Sequence, residues 1–144
     1  MLTLIVFIIV LSVLIFVHEF GHFIVAKKAG MKVEEFGFGF PPRLWGIKKG
    51  GTVYSINWIP FGGFVKIFGE DGQGEKDRRS FASAKARVRI AVVVAGVTMN
   101  FLLAVVLLSV GNAVGLRVGL IDEVQTRQAR DVKVQIIQVA ASSP

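Results

Sequence analysis

The 144-residue sequence contains no cysteine and few charged residues, and each shortage excludes some kinds of binding site or protein. Without cysteine the chain has neither a disulfide framework nor a thiolate metal site, so any bound metal must be held by His, Asp, Glu or Asn. Charged residues make up 19% of the chain and hydrophobic residues 53%, and the mean hydropathy is +0.62. This composition is too apolar for an ordinary soluble domain and predicts a membrane protein.

Two apolar stretches are long enough to cross a bilayer, which takes about 20 residues. The first runs from Leu2 to about Ala26, and the second, Ile90 to Val114, carries no charge. The alternative for the first stretch is a signal peptide. The stretch has neither the basic start nor the small-residue cleavage site that a signal peptide needs. A buried core helix is the alternative for the second, but nothing else in the chain is large enough to wrap it. The expected fold class is a mainly α membrane protein with two transmembrane helices.

Three ionisable side chains interrupt the end of the first apolar stretch: His18, Glu19 and His22. Positions i and i+4 of a helix share one face, so the two imidazoles can reach one metal ion while Glu19 acts beside them as general base. Two imidazoles with an open position for water suit Zn²⁺. The HExxH pattern is short, and two surface histidines flanking a glutamate are the alternative. Because an ionisable residue in a membrane helix costs about 2.5 to 3.5 kcal/mol on insertion scales, this context favours a metal site.

The distribution of basic residues predicts the orientation of the chain in a membrane. Of the 17 Lys and Arg residues, 13 lie between the apolar stretches, none precedes the first and four follow the second. By the positive-inside rule the intervening segment is cytoplasmic and both ends of the chain are extracytoplasmic. The net charge of +7 then indicates anionic lipid, and not nucleic acid, as the partner. The metal site would lie towards the cytoplasmic side, since residue 18 is about 24 Å along a helix that begins at residue 2.

The segment between the apolar stretches contains strand and turn signals. Residues 52–58 and 64–68 read as two short strands, which Pro60 to Gly63 would join as a hairpin. Such a hairpin is too small and too apolar to be stable in water alone, so we expect it to enter the membrane or to pack against the helices. It could accept an extended substrate by strand addition or serve only as a brace, and the sequence favours neither.

The sequence divides into four predicted parts. They are a first transmembrane helix with the HExxH residues (1–29), a cytoplasmic membrane-associated β-hairpin loop and linker (30–79), an amphipathic approach and second transmembrane helix (80–115), and the extracytoplasmic beginning of a β domain (116–144). Residues 70–79 are polar and glycine-rich, which indicates a solvated linker whose acidic residues are poor metal-ligand candidates. Lys85, Arg87 and Arg89 suit phospholipid headgroups. Within the second stretch, Gly96 and Asn100 on their own favour a helix-packing site with an interhelical hydrogen bond.

Four segments, taken in order, carry a resemblance to a known family. They are HEFGH at 18–22, the glycine-aromatic stretch 36–44, the segment 54–71 with PFGGFVK, and Gly96 to Asn100. Together they resemble the site-2 protease family of intramembrane zinc metalloproteases, in particular its bacterial regulator of sigma-E protease type. The resemblance implies that His18 and His22 bind Zn²⁺, that Glu19 is the catalytic base, and that the hairpin is the family's membrane-associated β element. It also implies that Asn100 helps to position substrate, which replaces packing as its expected role.

The sequence departs from the family pattern in two places. Val97 stands where the family often has proline, and the third zinc ligand, an aspartate in a Leu-Asp-Gly sequence on a later helix, is absent from these 144 residues. The strand-like run 132–139 looks like the opening of the family's PDZ domain. We therefore expect an N-terminal fragment of a longer protease, inactive alone.

The expected function is that of a zinc-dependent intramembrane endopeptidase that cleaves membrane-spanning protein substrates in regulated proteolysis. A non-catalytic membrane scaffold that lacks the third ligand and a zinc-handling membrane protein without protease chemistry are the alternatives. Glu19 discriminates among them, since neither alternative needs a general base between the ligands.

Overall fold

The computed structural model describes residues 1–72, 74 and 76–115. Its elements, in chain order, are helix α1 (Leu2–Lys28), strand β1 (Val33–Lys49), strand β2 (Thr52–Ile67) and helix α2 (Ala86–Val114). Residues 1–108 form one compact unit, and the end of α2 from Ser109 onward belongs to a second. The β domain expected at 116–144, with its strand-like run, lies outside the described residues.

Helix α1 is a single uninterrupted helix that includes the HExxH residues. No glycine or proline occurs in it before Gly21, and the basic side chains of Lys27 and Lys28 in its last turn suit the negative end of the helix dipole. Gly30, at φ +77°, then lets the chain turn towards the sheet. The first predicted apolar helix is therefore confirmed.

Helix α2 begins at Ala86, four residues before the predicted start at Ile90. Arginine is a good helix former, so the charges of Arg87 and Arg89 do not end the helix, and part of the expected amphipathic approach is its first turn. The residues before it form turns, in which the N–H of Ala84 donates to the carbonyl of Phe81.

Both helices have the length and composition of bilayer spans. They contain 27 and 29 residues, and only 6% and 17% of their most apolar windows are buried within the protein. The core helix of a soluble protein would be mostly buried, so this low burial argues against the core-helix alternative. The outward faces are aliphatic and aromatic, and in water they would be an exposed apolar surface of a size that soluble monomers rarely carry.

The predicted hairpin is confirmed, but the prediction of its strands was wrong. Residues 52–58 and 64–67 both belong to β2, and their partner is β1, which contains the glycine-aromatic stretch. The turn is Gly50-Gly51, where both residues have positive φ. Apolar alternation cannot distinguish two short strands from one long strand that bends near Pro60. The hairpin turn forms at Gly50-Gly51 instead of at Pro60 to Gly63, because two adjacent glycines suit a tight hairpin turn.

The sheet has an unusual register because β1 contacts two parts of β2. The strands pair antiparallel, from Lys49 opposite Thr52 beside the turn to Val33 opposite Ile67 at the far end. Residues 35–38 also lie opposite residues 53–56, so this part of β1 has neighbours on both sides. In the described part of the chain, residues 63–67 pair on one side only, with residues 33–38. We call residues 63–67 the outer edge of the sheet.

The helices and the sheet meet in a small apolar core. Phe36 of β1 packs against two rings of α1, Phe16 at 5.4 Å and Phe23 at 4.7 Å between centroids. Gly21 allows the two helices to approach closely, since a Cβ atom there would lie 2.5 Å from the carbonyl oxygen of Ala95. The site described next lies at this contact. The buried residues of the core are Ala26, Met31, Val33, Ile67 and Val92.

Candidate metal centre

The three ionisable residues of α1 form one cluster. One potential ligand atom from each of His18, Glu19 and His22 lies within 4.8 Å of the others, and all three side chains are half-buried. The imidazole rings are nearly perpendicular, at 83°, with centroids 4.8 Å apart. The helical spacing places the residues on one face, as expected, and the packing of α2 and the sheet against that face takes them partly out of solvent.

The ring of His22 is oriented by a backbone group of α2. Its Nδ1 atom lies 2.6 Å from the carbonyl oxygen of Val92. Because a carbonyl oxygen only accepts, Nδ1 of the neutral ring carries the hydrogen, and the lone pair is then on Nε2. A neutral imidazole held in this way is the form that binds a metal ion.

Gly96 of α2 leaves space in front of both rings. A Cβ atom at this position would lie 2.6 Å from Nε2 of His22 and 2.7 Å from Nε2 of His18. Both ε nitrogens therefore face the same small volume, which any larger residue would fill. Two converging nitrogen donors, one fixed in the correct tautomer, fit a Zn²⁺ ion.

Glu19 is held by the outer edge of the sheet. Its Oε2 atom accepts the N–H of Val65 at 3.2 Å. Beside it is a cavity of about 130 Å³, larger than the roughly 30 Å³ that one water molecule takes in the liquid. The arrangement can hold water next to the carboxylate of Glu19 and the imidazole of His22. The residues around the cavity are Glu19, His22, Val65, Ile67, Glu70, Phe81, Val92 and Val93.

Asn100 lies on α2 about one turn beyond Gly96 and is half-buried. Its Oδ1 atom is buried and has no hydrogen-bond partner among the described residues. An interhelical bond to this oxygen, which the packing interpretation of the sequence favoured, is therefore absent from the described part of the chain. A buried amide oxygen without a partner is costly and calls for an explanation.

Several contributors to the site were not identified from the sequence. Val92 and Val65 act through backbone atoms, which residue identity does not reveal. From the sequence, Gly96 was considered only as a helix-packing residue. A glycine among β-branched residues also indicated that other side chains approach the helix closely there, and these are the rings of His18 and His22. Glu70 had been assigned to a solvated linker, yet it lines the same cavity as Glu19.

Comparison with known proteins identifies the family. Residues 6–141 match the profile of peptidase family M50. A candidate zinc metalloprotease of Clostridium perfringens is 49% identical over 96 residues, which are 67% of this chain and 28% of that protein. A candidate zinc metalloprotease of Fusobacterium nucleatum is 39% identical over 117 residues, 81% of this chain and 34% of that protein. The regulator of sigma-E protease RseP of Salmonella typhimurium is 44% identical over 103 residues, 69% of this chain and 23% of that protein. The chain therefore spans about a third or less of each relative's length, and it belongs to peptidase family M50.

Proposed function

We propose that the protein is a zinc-dependent intramembrane endopeptidase that cleaves peptide bonds of membrane-spanning substrates. The observation that carries the proposal is the convergence of two imidazole ε nitrogens, with Glu19 beside them, on a helix apolar enough to span a membrane. The relatives' names, zinc metalloprotease and regulator of sigma-E protease, support the same chemistry.

His18 and His22 would hold the Zn²⁺ ion through their ε nitrogens. When bound, zinc lowers the pKa of water and polarises a carbonyl group. The family resemblance implies a third ligand, an aspartate in a Leu-Asp-Gly sequence, which these 144 residues do not contain. The carbonyl of Val92 keeps the lone pair of His22 on Nε2, and Gly96 keeps the space before it open.

Glu19 would act as general base and then as general acid. Its carboxylate accepts a proton from the water that attacks the scissile carbonyl carbon, and it returns the proton to the leaving amine as the C–N bond breaks. The cavity beside Glu19 supplies space for that water. Hydrolysis needs a general base in this position, whereas a scaffold or a zinc-handling protein does not.

The outer edge of the sheet would bind the substrate as an added strand. It pairs on one side only in the described residues, and its Val65 contacts Glu19 directly. An extended peptide on this edge would therefore lie beside the site, and this favours strand addition over a bracing role. Asn100 would position the unwound segment, since its buried Oδ1 can accept a hydrogen bond from a substrate N–H.

The sheet and both helices would contact the inner membrane, with residues 30–79 on the cytoplasmic side and both ends of the chain outside. Large apolar side chains project from the sheet, among them Trp58, which is 65% exposed, and Trp45, which is 57% exposed. Their exposure supports a lipid-facing surface, because aromatic residues concentrate at membrane interfaces. The partners of the protein are then the bilayer and a membrane-spanning substrate.

The test is cleavage of a membrane-anchored reporter by the whole protein that contains this chain. Glu19→Gln should reduce the cleavage rate at least about a hundredfold, the scale on which positioned acid-base groups contribute, while zinc remains bound. Glu34→Gln, which changes the same kind of side chain away from the cluster, should cleave normally. Cleavage that survives Glu19→Gln would exclude Glu19 as the general base, and an unchanged protein that does not cleave the reporter would return the scaffold and zinc-handling alternatives.

A further inference from the structure

We infer that the outer edge holds Glu19 through the same N–H group that an extended substrate needs, so that pairing of the substrate releases the base. The inference rests on the proposed function, since it takes Glu19 as the base and the outer edge as the substrate's partner strand. It adds a coupling between the two that neither the motif nor the family membership contains.

The direction of the backbone groups follows from two hydrogen bonds. The N–H of Val65 donates to Glu19, and the N–H of Phe68 donates to the carbonyl of Lys32, which precedes β1. Backbone N–H groups alternate in direction along a strand, so even-numbered residues here face β1 and odd-numbered residues face outward. Val65 and Ile67 therefore present their N–H groups to the side away from β1, where α1 places Glu19.

The open part of the outer edge is short. The carbonyl of Ile67 already accepts the N–H of Glu70 at 3.2 Å, and this turn closes one end of the edge. A peptide that adds as a strand must therefore place a carbonyl oxygen opposite Val65. The N–H of Val65 has one hydrogen and cannot fully satisfy both that carbonyl and the carboxylate of Glu19.

The competition has a direct consequence for the mechanism. Without substrate, Oε2 of Glu19 accepts a hydrogen bond from the outer edge and lies 3.2 Å from the Val65 nitrogen. When a substrate carbonyl takes the Val65 hydrogen, the carboxylate is no longer tethered to the edge and can turn towards the attacking water, whose proton it accepts. The site is therefore completed by an extended segment, which is induced fit at the level of one hydrogen bond.

Thermodynamic linkage makes the coupling measurable without any proteolysis. If peptide pairing breaks the bond between Val65 and Glu19, then removal of the Glu19 carboxylate must strengthen peptide binding by the same factor. A net hydrogen bond of this kind corresponds to about a three- to tenfold change in dissociation constant. A Glu19 that only braced the sheet would have the opposite effect, because its loss would loosen the edge.

The probe is a fluorescein-labelled octapeptide of alternating valine and threonine, titrated by fluorescence anisotropy against the 144-residue chain in detergent micelles. A chelator keeps the protein metal-free, so that hydrolysis does not interfere. Glu19→Ala should bind the peptide about three- to tenfold more tightly than the unchanged chain. Glu34→Ala is the matched control: it removes a carboxylate of the same sheet, one paired with Lys32 and Lys66, and should leave the affinity unchanged. An octaproline peptide, which cannot pair as a strand, measures binding to the micelle.

A second variant tests whether the effect passes through Val65. Val65→Pro removes the outward N–H, and proline is tolerated where an edge strand's N–H faces away from its partner. It should bind the peptide more weakly than Glu19→Ala does, and adding Glu19→Ala to it should produce no gain, which closes a double-mutant cycle. Should Val65→Pro fail to fold by circular dichroism, the comparison of Glu19→Ala with Glu34→Ala still decides.

Two results would overturn the coupling: affinity in Glu19→Ala equal to or weaker than in the unchanged chain, or no saturable binding of the octapeptide. Neither result bears on whether Glu19 is needed for cleavage, which the reporter assay measures separately. Conversely, tighter binding in Glu19→Ala together with reporter cleavage that survives Glu19→Gln would keep the competition for the Val65 hydrogen and reject Glu19 as the base.

Discussion

The Nδ1 atom of His22 on α1 and the carbonyl oxygen of Val92 on α2 lie 2.6 Å apart. This contact joins the two helices at the cluster and sets which nitrogen of His22 is available to a metal ion. The site is therefore a property of the helix pair, and it depends on the close approach that Gly21 and Gly96 permit. Changes that separate the helices should affect zinc binding even when the three ionisable residues are untouched.

Gly96→Ala should reduce zinc affinity about 10- to 100-fold, the range found when groups that support metal ligands are changed. The added methyl group would lie 2.6 Å from Nε2 of His22 and 2.7 Å from Nε2 of His18, so the rings must rotate away. Isothermal titration of the purified chain with Zn²⁺ measures the change. Ala104→Val enlarges an exposed side chain of the same helix, about two turns beyond Gly96, and it should bind zinc normally. Equal affinity in the two variants would show that the space before the ε nitrogens is not the metal position.

Gly21→Ala should lower the free energy of unfolding by about 1 to 3 kcal/mol, the usual cost of overpacking. Its Cβ atom would lie 2.5 Å from the backbone oxygen of Ala95 and 2.8 Å from Cγ of Met99. A backbone atom cannot move aside as a flexible side chain can, so the helices must separate. Unfolding in mixed micelles, followed by circular dichroism, measures the loss. Thr3→Ala, at the exposed start of α1, is the control, and a Gly21→Ala protein as stable as that control would argue against the close helix contact.

The two tryptophans of the chain should report membrane contact of the sheet. Trp45 and Trp58 both lie on the strands and are largely exposed within the protein. After reconstitution in vesicles, their fluorescence should shift to shorter wavelength and be quenched by brominated lipid more strongly than by aqueous iodide. Trp45→Phe and Trp58→Phe separate the two signals. Strong iodide quenching of both residues would place the sheet in water and remove the membrane-associated role.

The absence of cysteine makes the orientation directly measurable. Lys76→Cys, in the exposed polar segment between the sheet and α2, should react with a membrane-impermeant maleimide only when the cytoplasmic side is opened. Thr3→Cys should react in intact spheroplasts. The expectation follows from the 13 Lys and Arg residues between the helices. The reverse labelling pattern would invert the proposed topology.

The sequence contained enough to predict the helices and the positions of the ionisable residues. Long apolar runs and the i, i+4 spacing of His18 and His22 are local properties, which is why these predictions agree with the structure. The strand assignment failed because pairing is non-local: β1 contains Pro41 and Pro42 and did not resemble a strand, yet both ends of β2 pair with it. The contributions of Val65 and Val92 come from backbone groups brought together by the fold, and no pattern in the side chains indicates them.

Zinc affinity tests the central claim, that His18 and His22 hold the metal ion while Glu19 stands free of it as the base. Competition with a zinc-sensitive dye would measure the dissociation constant of the purified chain, of His18→Ala, of His22→Ala and of Glu19→Gln. The account predicts that each histidine variant binds zinc at least about tenfold more weakly than the unchanged chain, and that Glu19→Gln binds it nearly as well. Histidine variants that bind zinc as tightly as the unchanged chain would contradict the account.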